Sequence, residues 1–163
     1  KMAIAQGVNS VSSGLSTTTI TANVVNNNAT ANTAADITGL SFAVTNGQRY
    51  WFRFSIWYTS AATTTGSRFM VNGPTNSAFT VLMENTLAAA AGTDGITTAV
   101  SVAYDTPAAS NATSGNTAGN IAILEGFILP TADGTVIARF ASEISSSAIT
   151  ALRGSFVQYL AVG

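Results

Sequence analysis

The 163-residue chain contains neither cysteine nor histidine. Without cysteine it can form no disulfide and no thiolate metal site. Without histidine it cannot build a Ser-His-Asp or Cys-His catalytic group, or the usual histidine-based metal centre. Charge is scarce as well. Six Lys/Arg and seven Asp/Glu make up 8% of the residues and leave a formal net charge of −1, against about 25% charged residues in an ordinary soluble domain. That balance supplies neither a basic groove for nucleic acid nor an acidic display surface. It also leaves too few Lys, Glu and Arg to clothe the solvent faces of long helices. No uninterrupted apolar stretch reaches membrane-spanning length. The opening Lys1-Met2-Ala3-Ile4-Ala5 lacks the apolar core of a secretion signal. A lysine before the methionine fits an expression remnant, a processed chain or a piece of something longer.

What is present is apolar and β-prone. Hydrophobic residues form 47% of the chain, which argues against wholesale disorder, and the length suffices for one domain with a sizeable core. The most telling segment is Tyr50-Trp51-Phe52-Arg53-Phe54-Ser55-Ile56-Trp57-Tyr58, which follows an Asn46-Gly47 turn. Read with a period of two, it sends Tyr50, Phe52, Phe54, Ile56 and Tyr58 to one face, and Trp51, Arg53, Ser55 and Trp57 to the other. The first face belongs in a core. The second is too aromatic for ordinary solvent surface and is expected to meet another sheet or another subunit.

Further strands are expected at Ile20 to Val25, Ile37 to Val44, Ser67 to Val71, Ala78 to Glu84 and Thr97 to Tyr104. Three more follow at Asn120 to Leu129, Thr135 to Ile144 and Ser155 to Val162. Asn46-Gly47 and Asp133-Gly134 read as hairpin turns. Leu87 to Ala91 could form a helical turn, Asp105 to Gly119 reads as a surface loop, and Ala148 to Leu152 as a short strand or a helical turn. Eight to ten strands without repeated helical crossovers exclude a parallel Rossmann-like sheet. The expected fold is all-β: an antiparallel two-sheet β-sandwich, jelly-roll-like. Residues 1–20 are expected to be an arm or edge strand, and residues 21–163 the sandwich domain.

The expected oligomer interface comprises Trp51, Arg53, Trp57, Glu125 and Arg139. Large aromatics at a contact remove much apolar area while keeping a polar handle. Arg53 should not be buried alone between two tryptophans. It could stack on an indole, pair with Glu125 or reach water at a rim. Glu125, mid-strand among apolar residues, needs a donor if buried. Arg139 and Glu143, four residues apart on another strand, offer alternative partners, and an internal bridge and an interfacial one both remain open.

No catalytic residue, cofactor or metal is expected. Asp105 and Glu125 flank the long loop, but their spacing describes no glycosidase cleft. Asp94-Gly95 and Asp133-Gly134 read as turns and lack EF-hand spacing. Arg49, Trp51 and Arg53 lack the wider basic groove that nucleic-acid stacking needs. A carbohydrate-binding module is the serious alternative, since exposed tryptophans can stack on sugar faces. It would require Trp51 and Trp57 to stay open after assembly.

Three groups of segments carry a family resemblance. They are Ala35-Asp36-Ile37-Thr38-Gly39-Leu40-Ser41-Phe42; Tyr58-Thr59-Ser60-Ala61-Ala62-Thr63-Thr64-Thr65-Gly66 with Val71-Asn72-Gly73-Pro74; and Arg139-Phe140-Ala141-Ser142-Glu143 with Ser147-Ala148-Ile149-Thr150 and Gly154-Ser155. Together, over residues 22–162, they resemble small β-rich virion proteins of tailed bacteriophages. These in turn are similar to trimeric jelly rolls of the tumour-necrosis-factor and C1q type. The resemblance implies a non-enzymatic structural protein located in the virion. It would be a capsid decoration protein that forms a homotrimer and binds the major capsid protein or another virion protein. The alternative is a fibre or spike head domain that binds a host surface glycan. Neither nucleic acid nor membrane is implied as a partner.

Overall fold

The computed structural model describes residues 14–86, 95–108 and 119–163. The expected helical turn at Leu87 to Ala91 and most of the expected loop at Asp105 to Gly119 lie outside the described residues. Eleven strands occur among those described: β1 (Ser16–Thr19), β2 (Val24–Asn26), β3 (Ala35–Val44), β4 (Tyr50–Ser60), β5 (Ser67–Asn72), β6 (Asn76–Thr86), β7 (Ile96–Ser101), β8 (Asn120–Pro130), β9 (Gly134–Ser142), β10 (Ile149–Ala151) and β11 (Phe156–Ala161). All pairings are antiparallel. A large sheet runs β1-β11-β4-β8-β6-β7, with β10 and β2 continuing it beside the far end of β4; a three-stranded sheet runs β3-β9-β5. The protein is an all-β sandwich of two antiparallel sheets, consistent with a jelly roll.

The alternation of β4 decides how the layers meet. Phe52, Phe54, Ile56 and Tyr58 are fully buried. They face Phe42, Phe69 and Phe140 of the small sheet, with ring centroids 5.9 Å apart for Phe42–Phe52, 6.2 Å for Phe42–Phe54 and 4.7 Å for Tyr58–Phe69. Ala122, Leu124 and Ile128 of β8, and Phe79, Val81 and Met83 of β6, extend the same buried layer. Gly126, also inward on β8, lets β6 come close. A Cβ there would stand 2.1 Å from the Thr80 carbonyl oxygen and 2.9 Å from the Val81 Cα.

One end of the core is polar. The fully buried Tyr58 hydroxyl donates to the Thr86 carbonyl (2.8 Å) and accepts from the Ser67 hydroxyl (3.1 Å). Burial raises its pKa above the usual 10.0, outweighing the side-chain hydroxyls of Ser67 and Thr86, which lower it. Asn85 is fully buried nearby on the inner face of β6, and neither of its side-chain atoms has a hydrogen-bond partner among the described residues.

The sheet margin is bent by a paired interruption. β10 and β11 both lie along β4, on Tyr58–Ser60 and Tyr50–Ser55 respectively. Residues 152–155 break the ladder between them. Ser155 repairs it: its hydroxyl accepts from the Trp57 amide (3.0 Å) and has one proton to donate, to the Leu152 carbonyl (2.8 Å) or the Trp57 carbonyl (3.2 Å). The next chain outward breaks at the same level between β1 and β2, and Ile20 bridges across, its amide donating to the Ser155 carbonyl and its carbonyl accepting from the Gly154 amide. Such paired bulges increase local twist while keeping backbone groups satisfied.

The strand boundaries refine the sequence reading. The alternation expected through Tyr104 ends at Ser101. Val102 is 74% exposed, and Tyr104 turns to pack on Phe79 with ring centroids 4.6 Å apart. Its hydroxyl donates to the Pro74 carbonyl at 2.8 Å. Between Ile20 and Val25, where one strand is expected, only Val24–Asn26 pairs as a strand.

Candidate functional site

The outward face of the large sheet is the feature that sequence reasoning singles out. Its residues follow from register alone. Trp51 lies opposite Phe127, Arg53 opposite Glu125, Ser55 opposite Ile123 and Trp57 opposite Ile121. On the next strand Thr80 faces Phe127, Leu82 faces Glu125 and Glu84 faces Ile123. Val100 and Thr98 continue those rows onto β7, and Leu160, Gln158 and Phe156 continue them onto β11. Five adjacent strands therefore share a face on which aromatic and aliphatic side chains predominate. Trp57, Ile121 and Phe127 are each about half exposed, and Val100 and Ile96 are each 66% exposed.

With strands about 4.8 Å apart and same-face residues about 7 Å apart, four rows on five strands cover roughly 400 Å² in projection. Apolar side chains fill a little over half of that area, and exposed apolar clusters rimmed by polar residues commonly mark interaction sites. The inner face is closed by the small sheet, but the described residues place nothing over this one.

Four charged side chains belong to it. Arg53 and Glu125 pair across β4 and β8 at 3.4 Å, each side chain about two fifths exposed. The Trp51 indole N–H donates to the Glu125 carboxylate at 3.1 Å. Of the arrangements open for Arg53, the structure adopts the pair with Glu125. At that exposure the pair adds little to the stability of one subunit, because water already solvates both groups. Arg49, one residue before β4, continues its alternation and is exposed; Glu84 is partly buried on β6.

Arg139 does not share this face with the other four. It stands on β9 in the small sheet, its guanidinium contacting Asp36 at 2.8 Å and Asp105 at 2.7 Å. Glu143 is held instead by Arg68 at 3.0 Å. Arg139 thus clasps the segment after β7 to the small sheet, on the opposite side of the sandwich from Trp51 and Trp57. Sequence spacing shows that Arg139 and Glu143 share a parity, but not that other groups of opposite charge lie nearer to each. Ile96, Val100 and Leu82, which widen the apolar face, escaped the sequence reading because their strands are rich in threonine and resemble ordinary half-buried edges.

Among the described residues no group of three or more His, Cys, Asp or Glu could hold a metal ion. An open depression of about 450 Å³ sits at the paired bulge, lined by residues 19–25 with Thr38 and Gly39, and no charged side chain lines it.

No protein-family model matches the chain, and no curated protein matches it. Among solved structures it is similar to the Eiger TNF from S. frugiperda, with 11% identity, 93% of each chain covered and a TM-score of 0.40. The virion location and the bacteriophage capsid terms implied by the sequence resemblance are corrected accordingly. The solved structure named above is a TNF, and neither family models nor curated proteins supply a phage or capsid match.

Proposed function

We propose that this chain is a non-catalytic β-sandwich that associates with copies of itself through the outward face of the large sheet, using Trp51, Arg53, Trp57 and Glu125. The observation that carries this reading is the unpartnered apolar field around Trp57, Ile121 and Phe127. A face whose four charged groups are two basic and two acidic is neutral as a whole, and a near-neutral chain repels its own copies weakly. Covering the face removes apolar area from water and places the Arg53–Glu125 pair where its coupling strengthens. Large aromatics at the centre of such a contact carry a disproportionate share of the binding.

Replacing Trp57 by Ala tests this. The indole is half exposed in the single subunit, so its loss should cost the subunit roughly 2 kcal/mol for the half that is covered, leaving it folded. Assembly should weaken by at least tenfold, corresponding to about 1.4 kcal/mol or more at a central contact. Solution mass against concentration, with the melting temperature as control, reads both. A wild-type protein that stays monomeric at high concentration counts against the reading. So does a folded Trp57→Ala variant of unchanged oligomeric mass.

A further inference from the structure

The two remaining charges on the face carry a consequence for how copies would meet. Among the described residues, Arg49 and Glu84 make no ion pair. Continuing the register places Arg49 of β4 level with Leu129 of β8 and Ala78 of β6. Glu84 is six residues further along β6 from Ala78, or about 20 Å at 3.4 Å per residue, and it is two strands, or about 10 Å, to the side. The two groups are therefore roughly 22 Å apart across one face, beyond the reach of either side chain and beyond the ~8–10 Å screening length of physiological salt. Arg53, which lies closer to Glu84, is already engaged by Glu125. Each subunit thus carries an unpaired cation at one end of its apolar field and an unpaired carboxylate at the other, with Phe127 and Glu125 near the midpoint.

We propose that Arg49 of one copy pairs with Glu84 of the neighbouring copy, and that this pair sets the register of the contact. This rests on the self-association reading above. Covering the face without such a pair would bury the half-buried Glu84 carboxylate against apolar side chains with no cation to receive it, which is costly. Covering it with the pair satisfies both groups through a single contact type. Charges towards the margin of an interface act mainly by selecting the register and rejecting wrong ones, because juxtaposed like charges are strongly unfavourable. The apolar field supplies adhesion but, being broad and uniform, little positional information. The Arg49–Glu84 pair supplies the position.

The test is a charge swap read by solution mass against concentration, with melting temperature as a folding control. Arg49→Glu and Glu84→Arg should each weaken association by about tenfold or more. The double variant Arg49→Glu/Glu84→Arg should recover most of that loss. Recovery is specific to this pairing, since a Glu84 that sought Arg53 of the neighbour would not be rescued by a change at Arg49. If the wild type assembles but either single swap leaves its affinity unchanged, or the double variant is no better than the singles, the pairing is wrong while self-association stands. A monomeric wild type overturns the self-association reading itself.

Discussion

Gly126 shows how much one absent side chain can decide. It sits on the inner face of β8 between Phe52 and Val81, where an added methyl would overlap the Thr80 carbonyl. The overlapping atom is backbone in a central strand and cannot swing aside. Gly126→Ala should therefore force β6 and β8 apart and cost roughly 2–3 kcal/mol, as overpacking typically does. Thermal melting measures it, and a variant that melts within a degree or two of wild type would show that the strands can yield. Arg53 illustrates the opposite case. Its pair with Glu125 is well formed but wet, so its effect on a lone subunit is small and grows only as the face is covered.

At the scale of strands, the paired break between β10 and β11 and between β1 and β2 hangs on one hydroxyl. Ser155 is 1% exposed and replaces ladder bonds at Trp57 that the bulge removes. Ser155→Ala should leave the Trp57 amide unsatisfied and cost about 1–3 kcal/mol. Faster amide exchange at Trp57 than at Phe54 would localise the damage, and unchanged exchange would argue that the bulge closes by another route. The longer strands were legible in the sequence because each obeys one rule throughout. Tyr50 to Tyr58 alternates without exception, and Asn120 to Leu129 ends at a proline. The short β2 and β10 were harder to read, since three residues carry no period and their pairing depends on where a distant bulge falls. The candidate face was half legible. Parity placed Trp51 with Trp57, whereas the company of Leu82, Val100 and Ile96 needed the strand order, and the separation of Arg139 needed the assignment of strands to sheets.

For the whole molecule, the two ends of the core differ in chemistry. Around Phe42 the aromatic rings of Tyr50, Phe52, Phe54 and Tyr159 crowd together. Around Tyr58 the interior holds a phenol, serine hydroxyls and the Asn85 amide. The raised pKa of the Tyr58 phenol has a defined consequence at high pH. Below the unfolded-state value of about 10 the phenol is protonated in both states, and no stability is lost. As pH rises past that value the unfolded chain ionises first, so stability falls until the folded-state pKa is reached. Melting temperature should therefore decline above about pH 10. In Tyr58→Phe the starting stability should be lower, by about 1–2 kcal/mol for the hydrogen bonds lost, and the alkaline decline shallower. An equal slope in both proteins would assign the decline to other groups.

The Asn85 amide carries the last consequence. A side chain enclosed on all sides with no hydrogen-bond partner among the described residues gains hydration whenever the layers part beside it. The sandwich should therefore breathe from the asparagine end, while the phenylalanine end acts as its hinge.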